Sequence, residues 1–368
     1  SRRNSLGLIL KKSTAVILFK VVLFIVVLYA FLFSIQLMGS AFKLLGKGFA
    51  ETLIQTTSNP FVGLLIGILV TSIIQSSSTT TSIAVASVAG GILTLRGAIP
   101  IIMGANIGTT ITNTIVAIGH ITRKQEFERA FAAATVHDFF NILAVLVFFP
   151  LEMTTHFLEK SAVFLAGLLD GMGGIKFLSP LKAITTPLIT LVEDLLPIPA
   201  VLIGLSLAIL FFSLVQMVKI MRSLMMSKIE VYIDRFLFKN DLTAFLLAMT
   251  VTAVIQSSSV TTSLVIPLVG AGLLTIRKIF PFMLGANIGT TVTAILASFA
   301  TLNPVAITVA FTHLLFNMSG IIVFYPLRRI PIFLAESLAK ITSKSKRNTI
   351  LFVVLYFALY LVPLIFIL

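Results

Sequence analysis

No cysteine occurs among the 368 residues, so disulfides, thiolate nucleophiles and metal-thiolate centres are excluded, and cysteine usage says nothing about compartment. Charge is scarce as well: 11% of the residues are Asp, Glu, Lys or Arg against 58% hydrophobic, and mean hydropathy is +1.10. A water-soluble core cannot absorb that much apolar surface in a chain of this length. Acidic residues are the rarer sign, 13 against 27 Lys plus Arg, and there are only four His. No Ser-His-Asp order, Walker loop, kinase signature or metal-ligand cluster is present, so the sequence supports neither an enzyme nor ATP drive, and neither a cofactor nor a transition metal is expected.

What the chain has is apolar runs of about 20 residues, the length that crosses a hydrocarbon core roughly 30 Å thick. Examples are Ala15 to Leu37, Pro199 to Val218, Pro304 to Val323 and Ile350 to Leu368. The fold class is therefore an all-α polytopic membrane protein. The net charge of +14 would suggest nucleic acid in a soluble protein. Here the basic residues gather between apolar runs, at Arg2 to Lys12, Arg123 to Arg129, Lys219 to Lys239, Arg328 with Arg329, and Lys340 to Arg347, as cytoplasmic loops require, so the partner is a lipid bilayer and no nucleic acid is expected. The run behind the basic start lacks a signal-cleavage pattern, and Ser1 in place of Met is what a trimmed chain would show.

An internal duplication organises the rest. TSIIQSSSTTTSIAVASVAGGILTLRGAIPIIMGANIGTTIT at 71 to 112 aligns without gaps to TAVIQSSSVTTSLVIPLVGAGLLTIRKIFPFMLGANIGTTVT at 252 to 293, and more than half the positions are identical. TVHDFFNILAVLVFFPLE at 135 to 152 then matches FTHLLFNMSGIIVFYPLR at 311 to 328. Counting spans from a cytoplasmic start, the Arg123 to Arg129 loop returns to the cytoplasm only if one intervening segment fails to cross. Segment 60–91 is that one, with an apolar arm, a polar QSSSTTTS centre at 75 to 82 and a second apolar arm. It reads as a re-entrant hairpin whose polar tip lies at membrane depth, which is allowed only where protein or a water-filled cavity surrounds it. The same parity has hairpin 240–272 entering from the opposite face, making inverted repeats, with Arg96 the one misfit. The expected organisation is a first repeat at 1–152 (span, hairpin 60–91, broken helix 97–119, span 130–150) and an external connection with short helices at 153–198. A second repeat follows at 199–328 (span, hairpin 240–272, broken helix 279–301, span 304–327), then an interfacial basic helix and final span at 329–368. The stretches 219–238 and 331–347 read as basic interfacial helices.

The tips carry the chemistry. Gln75, Ser76, Ser77 and Ser78, mirrored by Gln256, Ser257, Ser258 and Ser259, put an amide and three hydroxyls where one helix ends and another begins. Freed N–H groups and hydroxyls suit an oxyanion, while amide and carbonyl oxygens suit an alkali cation. The plainer reading is that Ser and Thr let helices approach closely or bond their own backbone. GANIGTT occurs at 104 to 110 and again at 285 to 291. Its glycines read as GxxxG packing, or, with a helix break, the motif aims Thr109 and Thr110 (Thr290 and Thr291) into a cavity and offers the carbonyl of Asn106 (Asn287) to a cation. Asp138 faces Leu314 in the duplication, an intramembrane carboxylate in one half only. It is a candidate cation ligand or proton carrier, with pairing to Arg129 or His137 as the structural alternative. His137 and His313 read as hydrogen-bonded packing residues. No Lys or Arg lies at either tip, so a midplane anion needs bound cations for charge, which gives ion coupling a physical reason.

QSSS, GANIGTT and VHDFFN in this order, with a second QSSS and LGANIGTT following, resemble the type II sodium-phosphate cotransporter family over roughly residues 15 to 365. The resemblance implies a sodium-coupled symporter taking up hydrogen phosphate. Phosphate would lie at Ser76, Ser77, Ser78, Ser257, Ser258 and Ser259 with Thr109, Thr110, Thr290 and Thr291. Sodium would lie at Gln75, Gln256, Asn106, Asn287, Thr79, Thr262 and Asp138, the last at the position associated with electrogenic coupling. The short, cysteine-free connection suggests a bacterial member in the inner membrane. Another oxyanion such as sulfate or a small carboxylate, and an ion channel, are the alternatives, and the oligomeric state is open, a dimer among the options.

Overall fold

The computed structural model describes residues 2–171, 179–232 and 239–367, and every regular element among them is helical. Helix α1 (Arg2–Leu44) leads into α2 (Lys47–Thr57), which meets α3 (Pro60–Ile74) at a bend of 97°. Then come α4 (Ser77–Ala89), α5 (Leu95–Gly108), α6 (Ile111–Ile118) and α7 (Lys124–Thr155). The connection holds α8 (Phe157–Gly171) and α9 (Ser179–Leu195); its residues 172–178 lie outside the described ones. The second half runs through α10 (Pro199–Tyr232), α11 (Asp241–Ile255), α12 (Ser258–Ser263), α13 (Ile266–Gly270), α14 (Ile276–Thr301) and α15 (Pro304–Phe324), and α16 (Arg329–Ser343) and α17 (Lys346–Ile367) close the chain. Six described stretches are long and apolar enough to cross a membrane: Ala15–Leu44, Leu95–Ile118, Lys124–Thr155, Pro199–Leu224, Ile276–Thr301 and Pro304–Phe324.

Local sequence explains most boundaries. Asn59 caps α3 by accepting from the Phe61 N–H, with Pro60 at the first helical position, and Asn303 with Pro304 does the same for α15. Asn240 and Thr243 form a capping box at α11. The second arm of the first hairpin, α4, is continuous, whereas its counterpart splits into α12 and α13 just ahead of Pro267. Proline lacks the N–H and crowds the preceding turn, and the aligned residue in α4 is Ala86.

Two expectations change. The basic stretch 219–238 is not a separate interfacial helix as far as it is described: α10 continues unbroken through Tyr232, because Met, Lys, Leu and Ile there favour helix and no Gly or Pro interrupts them, while residues 233–238 lie outside the described ones. The break expected at GANIGTT is only a two-residue turn at Thr109 and Thr110 in the first copy and absent from the second, where α14 runs straight through. The hydroxyls bond back into their own helix instead, Thr290 Oγ1 to the Ala286 carbonyl at 3.0 Å and Thr291 Oγ1 to the Ile288 carbonyl at 2.7 Å. Arg96, the misfit of the charge count, is neutralised by Glu159 on α8 at 2.9 Å.

The glycines of the motif therefore serve packing. α5 lies against α3 and α14 against α11 as the two most intimate hairpin contacts. A Cβ on Gly104 would fall 2.1 Å from the Leu64 carbonyl oxygen, and one on Gly285 would fall 2.1 Å from that of Phe245. No side chain fits, and the obstacle is backbone that cannot rotate away. The second arms cross over: α4 packs on α14 and α15 of the second half, while α12 and α13 pack on α6 and on α7 of the first. α1 and α10, the first long helix of each half, lie side by side.

Gly104→Ala or Gly285→Ala should lower the melting temperature of the purified protein, by an overpacking cost of about 1–3 kcal/mol each. Gly167→Ala, inside α8 where the added carbon meets open space, should leave it unchanged or raise it; equal melting temperatures for all three would remove the packing role.

Candidate functional site

At each QSSS the first arm is stopped by a glutamine in the left-handed region, Gln75 at φ 56° and Gln256 at φ 63°, whose N–H closes the helix onto the Thr71 or Thr252 carbonyl. The next residue, Ser76 or Ser257, is extended and caps the following helix through its hydroxyl, which accepts from the N–H of Thr79 at 3.2 Å or Val260 at 3.3 Å. Thr71 Oγ1 donates to Thr80 Oγ1 across the first tip at 2.8 Å, so the arms double back. This geometry gives the serines of each tip different tasks. Ser76 and Ser257 hold the turn. Ser77 and Ser258 are buried and their hydroxyls have no protein partner among the described residues. As first residues of their helices they, with Ser78 and Ser259, also present N–H groups without an intrahelical acceptor.

The two tips meet. Gln75, Ser76, Ser77, Ser78 and Thr79 from one, with Gln256, Ser257, Ser258 and Ser259 from the other, line a single cavity of about 330 Å3, walled on the remaining side by Phe211, Leu214, Val215, Val218 and Lys219 of α10. Ser78 Oγ reaches across to the Gln256 carbonyl at 3.5 Å and Thr293 Oγ1 at 3.4 Å. The glutamines are not equivalent. Gln75 is exposed to the cavity, whereas Gln256 is buried, its Oε1 accepting from Thr293 at 2.7 Å and its Nε2 bonded to the Ala253 carbonyl. A larger cavity of about 460 Å3, between α1, α9 and the junction of α14 with α15, contains neither tip and none of the duplicated polar residues.

The other singled-out residues do not line this cavity. Thr262 and Asn287 belong to a buried chain of hydrogen bonds through the middle of the protein. Thr262 Oγ1 donates to Asn113 Oδ1 at 2.8 Å, Asn113 Nδ2 faces His137 Nδ1 at 3.4 Å, and His137 Nε2 faces Asn287 Oδ1 at 2.6 Å. Asn287 Nδ2 donates to Asn141 Oδ1 at 3.0 Å, and Asn141 Nδ2 to the Asn106 carbonyl at 2.7 Å. The Asn106 side chain bonds its own helix at the Ile102 carbonyl, as Thr109 does at Ala105. The second half has no equal chain: Ala294 stands where Asn113 would be, and both ring nitrogens of the fully buried His313 lack a partner among the described residues.

Asp138, 4% exposed, pairs with neither expected partner. Arg129 donates twice to the Gly270 carbonyl, at 2.9 and 2.7 Å, tying α7 to the mouth of the second hairpin, and His137 is engaged as above. Instead Tyr356 Oη donates to Asp138 Oδ2 at 2.8 Å and Tyr360 Oη to Oδ1 at 3.4 Å, both from α17.

A sequence profile described as Na+/Pi-cotransporter matches residues 30–177 and 209–364. The chain belongs to this family. It is 33% identical to sodium-dependent phosphate transport protein 2B of Homo sapiens over 94% of its own length and 64% of the relative's. It is 35% identical to sodium-dependent phosphate transport protein 2A of Ovis aries over 97% and 69%. The chain thus spans just under two thirds of the 2B relatives. No solved structure matches it significantly.

Sequence reasoning missed Lys219, Asn113, Tyr356 and Tyr360. Neither tip carries Lys or Arg, as expected, and Lys219 adds a basic side chain to the cavity wall from α10. Asn113 and the tyrosine pair did leave a signal, polar groups inside apolar runs, the tyrosines four residues apart and hence on one helix face.

Proposed function

We propose that this membrane protein is a sodium-coupled symporter of inorganic phosphate. The observation that carries the reading is the single cavity shared by two serine tips, one from each half of the duplication. Unbonded hydroxyls of Ser77 and Ser258, with the free N–H groups beside them, can all donate to a tetrahedral oxyanion, as anion recognition requires. Lys219 supplies one positive charge, and bound sodium supplies the rest against the desolvation cost of a divalent anion. The names of the 2A and 2B relatives support phosphate and sodium as the transported pair. Gln75, free at the cavity wall, is the first candidate for a cation ligand there, and Asp138 binds the coupling cation that Leu314 cannot. In this reading the residues of the buried chain, Asn106, Asn287 and Thr262, hold the halves in register. The hairpins enter from opposite faces, so that each arm can open the shared cavity to one side in turn, and the membrane is a plasma membrane.

Two measurements check this. Labelled phosphate uptake by proteoliposomes should show half-saturation raised for Ser77→Ala and for Ser258→Ala, by the roughly five- to 150-fold that a donor lost opposite a desolvated anion implies. Ser76→Ala should mainly lower stability, because its hydroxyl is a cap. Unchanged uptake in both tip variants would remove the tips from the site. In the cysteine-free background, Ser58→Cys at the mouth of the first hairpin and Lys239→Cys at that of the second should label with a membrane-impermeant maleimide from opposite sides. Labelling from one side would overturn the inverted arrangement.

A further inference from the structure

The Asp138 carboxyl group lies at membrane depth without a basic partner: no ion pair among the described residues includes it, and both basic neighbours bond elsewhere. What surrounds it is oxygen. Tyr356 and Tyr360 stand one turn apart on α17, their hydroxyls 3.3 Å from each other, and each takes one carboxylate oxygen. Tyr360 Oη also lies 3.2 Å from Thr110 Oγ1, the residue at the small turn between α5 and α6. Two carboxylate oxygens, two phenolic oxygens and a threonine hydroxyl from three separate parts of the chain thus form one buried cluster.

Such a set contains only hard oxygen ligands and, with the carboxyl group ionised, one negative charge, the composition that suits a partly dehydrated alkali cation. A phenol that donates its proton to the carboxylate keeps its lone pairs free, so the same hydroxyl can stabilise the vacant carboxylate and then ligate a cation beside it. We propose that Tyr356 and Tyr360 complete a sodium site built on Asp138 and Thr110, which makes the last helix a part of the ion-coupling machinery. This rests on the reading of Asp138 as the coupling-cation carboxylate, and extends it to α17, which lies outside the duplicated segments. Since α17 also packs on α3, the arm that ends at Gln75, sodium bound here bears on the first tip through a direct helix contact.

Tyr356→Phe and Tyr360→Phe keep the rings and remove one oxygen each. In reconstituted full-length protein, with phosphate saturating, each should raise the sodium concentration for half-maximal uptake about two- to tenfold, the effect of one lost neutral hydroxyl contact, and the double variant more. Phosphate half-saturation at saturating sodium should stay at the wild-type value, which a general packing defect would not allow. The purified variants should lose part of the sodium-dependent rise in melting temperature seen in wild type. Asp138→Ala, measured alongside by reversal potential, separates the two claims. If it changes the charge carried per phosphate while both tyrosine variants keep wild-type sodium activation and wild-type sodium stabilisation, the tyrosine site is overturned and the carboxylate reading stands. If Asp138→Ala leaves charge per phosphate and sodium activation unchanged, the carboxylate reading falls and the tyrosine site with it.

Discussion

A helix that ends inside a membrane leaves backbone N–H and C=O groups without partners, and the bilayer supplies none. Both duplicated tips face this constraint, and both meet it the same way. A left-handed glutamine closes the first arm, an extended serine caps the second, and the donors that remain open are those of the next two serines. The tips can exist because each is enclosed by the other and by α10, and that enclosure is the cavity. Fold and candidate site are therefore one structure: the groups left unsatisfied by the turn are the groups offered to a solute.

Around this shared geometry the halves have diverged. Gln75 faces the cavity while Gln256 is tied down by Thr293. Asp138 is matched by Leu314, Asn113 by Ala294, and the smooth α4 by an arm split ahead of Pro267. Asp138 and Asn113 add polar groups to the centre of the first half, whereas the tied glutamine belongs to the second. The buried chain from Thr262 to Asn106 joins residues of both halves, and the loss of a side chain from it leaves a dry partner unpaired at about 1–3 kcal/mol. In the second half His313 has no partner among the described residues and the second arm is in two pieces.

The helical membrane architecture was legible because hydropathy decides it. The tips were legible because a polar run inside an apolar segment is costly in a bilayer unless it lines a cavity, and this chain carries that cost twice, at Gln75 to Ser78 and at Gln256 to Ser259. The break at GANIGTT was misjudged for a definable reason: small and hydroxylated residues can either interrupt a helix or let a neighbour approach, and sequence alone does not say whether a carbonyl lies where a Cβ would go. In the structure it does, at Leu64 and Phe245. The long continuation of α10 lost out to a charge count that ignored its uninterrupted helix propensity. Lys219, Tyr356 and Tyr360 reach their places through tertiary contact between segments far apart in the chain, which no local pattern fixes.

A cavity of hydroxyl and N–H groups, with cations to balance charge, should move phosphate only together with sodium. Labelled phosphate uptake by proteoliposomes of the purified wild-type chain, under an inward sodium gradient and under an equal potassium gradient, tests it most directly. Uptake should be saturable and concentrative in sodium alone and inhibited by unlabelled phosphate. Equal uptake in potassium, or a flux that does not saturate with phosphate, would contradict it.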